Sequence, residues 1–227
     1  MNTTETRMQP DQQGSQFQYL VRESRIKTGK APLLLLLHGV GSNETDLFSF
    51  ANQLPDQFLV VSARGPYTLE AGRYAWYQVD FSTGKPVIQI EQEERSRRMI
   101  LQFIEELKER HHIDESAVYL CGFSQGAIMS YSAGLTAPEL FKGIAAMSGR
   151  LPEEVKHEIA SPVELQHLRV FISHGKEDRM LNIEYARSCA AYLKSLGIQP
   201  TYKEYTEGHG INREMLADLI NWLNQSI

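Results

Sequence analysis

Ala117-Val118-Tyr119-Leu120-Cys121-Gly122-Phe123-Ser124-Gln125-Gly126-Ala127 starts as an apolar run and ends on a serine flanked by small residues. The apolar run reads as a strand buried on both faces. The residues after Ser124 begin a helix, and strand, tight turn and helix together are the setting of a nucleophile elbow. The demand is steric: so sharp a turn brings backbone against backbone, and only small residues fit where Gly122, Gly126 and Ala127 stand. It lifts the Ser124 hydroxyl clear of the sheet to a helix N-terminus, whose dipole favours developing negative charge. Alone, the same run also describes an ordinary glycine-rich turn, so its meaning depends on what the rest of the chain brings to that sheet edge.

Outward from this stretch, strand-like and helix-like segments alternate from residue 17 onwards, the pattern of an open, mainly parallel sheet with helices on both faces. Upstream strands are expected at Phe17 to Arg22, at Pro32 to Leu37 and at Phe58 to Val61. Downstream ones are expected at Gly143 to Met147, Val170 to Ser173 and Thr201 to Tyr205. Ser42-Asn43 reads as the cap of a helix taking in Leu47, Phe50 and Leu54. A long amphipathic helix begins near Glu91 with Met99, Ile100, Phe103, Ile104 and Leu107 on one face. A further helix runs from Asn182 to Leu196 and is closed by Gly197, and the last carries Ile211, Met215, Leu216, Leu219, Ile220 and Leu223. Residues 65–90 and 150–167 break the alternation and read as loop or hairpin excursions.

Composition narrows the function. A length of 227 residues with 42% hydrophobic and 22% charged residues describes one globular α/β domain, expected over 17–227 behind a flexible polar tail of residues 1–16. The formal charge of -5 offers no basic surface for a phosphate backbone, so nucleic acid is not an expected partner. The first residues resemble no secretory signal and no run is long and apolar enough to span a bilayer, so a cytoplasmic protein without stable membrane insertion is expected. Cys121 and Cys189 stand in apolar stretches without metal-ligand spacing, and neither a metal nor an organic cofactor is implied.

A serine hydroxyl needs a base, and His209 in Glu207-Gly208-His209-Gly210 lies between the last strand and the last helix, where it can reach the same edge. A supporting acid is expected between the two, and Ser173-His174-Gly175-Lys176-Glu177-Asp178 leaves a buried strand with two carboxylates, Glu177 and Asp178. His174 reads as a packing or hydrogen-bonding residue. Acyl transfer also requires donors for a tetrahedral oxyanion; the amide of Gln125 is one, and His38-Gly39-Val40-Gly41 supplies another, assigned to Val40.

These pieces resemble the phospholipase/carboxylesterase family of α/β-hydrolases, which includes acyl-protein thioesterases and small bacterial carboxylesterases. The resemblance rests on Leu37-His38-Gly39-Val40-Gly41, Gly122-Phe123-Ser124-Gln125-Gly126, His174-Gly175-Lys176-Glu177-Asp178 and Gly208-His209-Gly210. It implies an α/β-hydrolase fold, a triad of Ser124, Asp178 and His209, and an oxyanion hole from the amides of Val40 and Gln125. Ala127 stands where the family usually has a third glycine, and Arg179-Met180-Leu181-Asn182 follows Asp178 where the family tends to carry Val-Pro.

The expected reaction is hydrolysis of a small-molecule carboxylic ester through an acyl-enzyme. The alternatives are an acyl-protein thioesterase or lysophospholipase, or a catalytically silent binding module on the same fold; the motifs leave substrate and oligomeric state open. The length leaves no room for a large cap domain, so an open groove is expected, lined from the 65–90 excursion by Trp76, Tyr74, Tyr77, Val87 and Ile88. The competing expectation is that these aromatics pack inward against the sheet.

Overall fold

A computed structural model describes residues 14–26, 28–80 and 87–225. The strands are β1 (Tyr19–Arg22), β2 (Ala31–Leu37), β3 (Leu59–Ala63), β4 (Tyr67–Glu70), β5 (Arg73–Ala75), β6 (Val79–Asp80), β7 (Val87–Ile88), β8 (Ile113–Phe123), β9 (Gly143–Met147), β10 (Arg169–Gly175) and β11 (Thr201–Tyr205). The helices are α1 (Thr45–Phe48), α2 (Ile90–Arg110), α3 (Gln125–Thr136), α4 (Ile183–Ser195) and α5 (Arg213–Asn224).

The central sheet has seven strands in the order β1-β3-β2-β8-β9-β10-β11. Only the β1/β3 pair is antiparallel. Every residue of β2 is buried, because this strand lies between β3 and β8 with helices over both faces. Leu33, Leu35 and Leu37 pack into the core that α2, α3 and α4 cover, while Leu34 and Leu36 face the core under α1 and α5. Burying such a side chain contributes about 1.5–3 kcal/mol. Parallel pairing places the carboxyl ends of β2, β8, β9, β10 and β11 along one edge.

The expected helix from Asn43 to Leu54 is shorter. α1 ends at Phe48 and a 3₁₀ turn covers Ala51–Gln53, which closes where Pro55 drives Leu54 into an extended conformation with ψ 155. Asn43 does cap the start, its Oδ1 accepting the Thr45 amide at 2.9 Å. The stop signal at Gly197 holds, with φ +87 and the Ile198 amide returning to the Leu193 carbonyl at 3.0 Å. The 150–167 excursion is less polar in space than in sequence: Leu151, Val155 and Leu165 are buried, and the Ala160 amide donates to the Leu135 carbonyl.

Residues 65–90 form two hairpins, β4/β5 and β6/β7. Phe81, Gly84 and Pro86 of that excursion lie outside the described residues, as do residues 1–13 of the tail. Within the tail, Gln16 is tied to α2 by hydrogen bonds with Gln102 and Glu106. Among the described residues the sheet, its helices and these excursions leave no separate cap, and no helix is long and apolar enough to cross a membrane.

Candidate active site

Three loops leaving the shared strand edge meet at Ser124. The elbow turns with Ser124 at φ 53 and ψ -114, a left-handed conformation that only a tightly determined turn imposes on a non-glycine residue. The glycines around it are obligatory. A Cβ on Gly122 would stand 2.1 Å from the Gly126 carbonyl oxygen, and one on Gly126 would stand 2.0 Å from that of Leu37. Ala127 is tolerated because Gly149 faces it: a Cβ there would lie 2.5 Å from the Ala127 methyl, so the extra methyl on one side is matched by its absence on the other.

His209 Nε2 lies 2.9 Å from Ser124 Oγ, and His209 Nδ1 lies 2.7 Å from Asp178 Oδ2. Of the two carboxylates in this loop, Asp178 is therefore the one that meets the imidazole. Glu177 is exposed, and its amide donates to the Glu207 carbonyl at 2.9 Å. Gly175 lets the two loops touch, since a Cβ on it would stand 2.3 Å from the carbonyl oxygens of Glu207 and Gly208. Asp178 Oδ1 accepts the amides of Met180 and Leu181, each at 2.8 Å, which fixes the carboxylate despite the missing Val-Pro. Phe123 packs against the imidazole with ring centroids 5.1 Å apart. His174 is buried and hydrogen-bonded, as expected, with Nε2 2.7 Å from the Leu181 carbonyl oxygen.

The Gln125 amide opens α3 and belongs to the donors that a helix start leaves without an intrahelical acceptor. The His38–Gly41 loop runs alongside: a Cβ on Gly39 would lie 3.4 Å from Ser124 Cβ, and Val40 beyond it is 51% exposed. His38 anchors this loop. The Gly65 amide donates to its Nε2 at 2.9 Å, which leaves the ring proton on Nδ1, 2.7 Å from the Gly39 carbonyl oxygen. Burial pushes the His38 pKa down, favouring this neutral form.

Of the three aromatics expected to line a groove, only Tyr77 borders a cleft. Trp76 is wholly buried, its Nε1 donating to the His38 carbonyl at 2.9 Å and its ring edge-on to Phe17. Tyr74 is half-buried beneath the Arg64 guanidinium, 4.5 Å from its ring centroid, and its phenol accepts from the same arginine. Tyr77 is buried but borders a cleft of about 480 Å³ that also includes Val40, Leu69, Gln78 and Val79. The inward reading thus holds for Trp76, because an indole N–H at the sheet edge finds its acceptor below rather than in solvent. Val87 is exposed and Ile88 packs partly against the core.

Sequence reasoning missed the side chain of Gln125. Its Oε1 accepts the Trp76 amide at 2.8 Å and its Nε2 donates to the Tyr77 carbonyl at 2.7 Å, lashing the elbow to the excursion. The excursion in turn holds the His38–Gly41 loop, with the Gly41 amide on the Tyr74 carbonyl and the Tyr74 amide on the Ser42 carbonyl, both at 2.8 Å. The only sequence signal was a buried-type position filled by an amide.

A cleft of about 660 Å³ is lined by Lys176, Glu177, Asp178, Arg179, Gly208 and His209. Cys121 is no rival nucleophile: it is buried in β8, and burial pushes its thiol up to about 12. Among the described residues no group of His, Cys, Asp and Glu side chains is arranged to hold a metal ion.

The family model described as phospholipase/carboxylesterase matches residues 23–227. Esterase YpfH of Escherichia coli is 30% identical over 207 residues, covering 86% of this chain and 83% of that protein. Acyl-protein thioesterase 1 of Candida albicans is 25% identical over 215 residues, covering 86% and 91%. In fold the chain is similar to a Bacillus cereus carboxylesterase, with a TM-score of 0.82, 21% identity and coverage of 95% and 97%. Matched over nearly all of its length, the chain belongs to the phospholipase/carboxylesterase family of α/β-hydrolases.

Proposed function

We propose that the chain is a serine carboxylesterase in which Ser124, His209 and Asp178 act as nucleophile, base and supporting acid. One observation carries the reading: hydrogen bonds of 2.9 and 2.7 Å link Ser124 Oγ through the imidazole to Asp178 in an unbroken series. Ser124 Oγ attacks the ester carbonyl while His209 Nε2 takes its proton, and Asp178 holds the tautomer and stabilises the imidazolium. The amides of Val40 and Gln125 receive the oxyanion. The intermediate collapses with transfer of the proton to the departing alcohol, and water repeats the sequence to release the acid.

The acyl group extends along the cleft of Val40, Leu69 and Tyr77, and the alcohol departs past Lys176, Glu177 and Arg179. A thioester leaving group fits the same open cleft, and the likeness to a thioesterase favours including it. Rapid mixing with p-nitrophenyl butyrate tests the reaction type. A burst of about one p-nitrophenolate per chain, with a butyryl mass increment on the Ser124 peptide, supports the acyl-enzyme; turnover with the increment elsewhere contradicts it. Matched oxygen and thiol esters then rank the two substrate classes.

A further inference from the structure

Asp178 has a second histidine. His174 ends one residue short of the turn that carries the acid, it is fully buried, and its Nε2 lies 3.2 Å from the Asp178 Oδ2 that also holds His209. The same Nε2 lies 2.7 Å from the Leu181 carbonyl oxygen. A carbonyl and a carboxylate both only accept, so the ring proton resides on Nε2. Nδ1 is buried and has no hydrogen-bond partner among the described residues. The N–H is aimed chiefly at Leu181, whose own amide donates to Asp178 Oδ1, and flanks Oδ2 from the core side.

We propose that His174 is a positioning residue for the acid–base pair: it clamps the Asp178 loop through Leu181 and tempers the hold of Oδ2 on His209. This rests on the triad reading above. The other charged groups near the pair come from the two surface loops: Lys176, Glu177 and Arg179 are exposed, and Glu207 flanks the His209 turn. Glu204, opposite His174 on β11, is engaged by Arg187 and Tyr202. Water screens the loop charges, whereas His174 approaches from the buried strand, where a dipole acts at lower effective dielectric. Removing its N–H leaves a carboxylate that holds the imidazolium more tightly, so His209 stays protonated to higher pH.

The test compares wild type, His174→Phe, which keeps a ring but no donor, and His174→Gln, whose amide nitrogen reaches the position of Nε2. The acidic limb of kcat/KM is expected to move up by roughly half to one pH unit in His174→Phe. That is part of what a full hydrogen bond to a charged group contributes, because this N–H bonds to Leu181 and only flanks Oδ2 at 3.2 Å. His174→Gln is expected to return the limb to its wild-type position. A His174→Phe enzyme that turns over with an unmoved limb overturns the proposal, since a merely structural role lowers stability without shifting it. The ¹⁵N spectrum of the wild-type imidazole decides the matter if His174→Phe does not fold: a proton on Nε2 supports the clamp, and a proton on Nδ1 overturns it. Loss of turnover in Ser124→Ala separates the two levels, because activity that survives there defeats the triad reading itself.

Discussion

Gln125→Met removes the lashing between elbow and excursion without emptying its space. The thioether has nearly the length of the amide but neither accepts the Trp76 amide nor donates to the Tyr77 carbonyl, bonds of 2.8 and 2.7 Å in the native protein. Both partners are backbone groups of buried residues. Orphaning a buried polar group costs about 1–3 kcal/mol, so two together destabilise by roughly 3 kcal/mol if one recovers a partial contact. For a chain of this size that lowers Tm by roughly 6–12 °C. The consequence for turnover runs through the excursion, because Trp76 Nε1 holds the His38 carbonyl and Tyr74 holds Gly41. With one oxyanion donor proposed in the His38–Gly41 loop, loosening it is expected to lower kcat by about tenfold, less than the 10²–10³ of deleting one oxyanion donor, since the amides themselves remain. Thermal denaturation followed by circular dichroism and steady-state hydrolysis of p-nitrophenyl butyrate read the two effects. A Gln125→Met protein that melts within a degree of wild type with unchanged kcat refutes the lashing.

Asp178→Asn is expected to lower kcat by about 10⁴ and Glu177→Gln to leave it nearly unchanged; steady-state kinetics giving the reverse ranking would move the supporting acid. Lengthening the acyl chain of p-nitrophenyl esters is expected to raise kcat/KM by less than the ~fourfold per methylene of full burial, and Leu69→Ala to flatten the rise. Trp76→Ala instead costs about 3–5 kcal/mol of stability as a core truncation; an unaltered slope in Leu69→Ala would take that cleft out of the acyl site. The pKa of His38 is depressed by burial, so the folded state resists a proton that the unfolded chain binds below its ordinary value of 6.5. Stability is therefore full above that pH and falls as the pH drops towards the folded value. His38→Gln is expected to give a shallower fall of Tm as the pH drops below 6.5 in thermal scans. His111, also depressed by burial, accounts for some of the remaining slope, and identical slopes would show that His38 is not the group responsible.

The sheet was legible because a strand buried on both faces has to be apolar throughout, as β2 and β9 are. The elbow was legible because backbone contact at Gly122 and Gly126 leaves no room for a side chain. The start of β8 was hidden: Asp114 and Ser116 bond to each other rather than to a neighbouring strand, and only Ile113 reaches Ala31. The aromatic cluster was ambiguous for a physical reason. An indole or a phenol satisfies its polar atom equally well in solvent or on a buried carbonyl, and the choice depended on partners such as the His38 carbonyl that lie far away in sequence. The contact between His174 and Asp178 was equally invisible, because the loop between them had to close before the ring and the carboxylate met.

The central claim is that Ser124 is the nucleophile, and a fluorophosphonate probe tests it most directly, applied to folded wild type and to Ser124→Ala with peptide mapping of the adduct. The account predicts a single adduct on the peptide containing Ser124, with ester turnover abolished in step with labelling. It predicts neither labelling nor turnover in Ser124→Ala, whose Tm stays within a few degrees of wild type because the hydroxyl stands at a loop edge and contributes little to the core. Labelling of another serine in the wild type, or a Ser124→Ala protein that still hydrolyses esters, would contradict it.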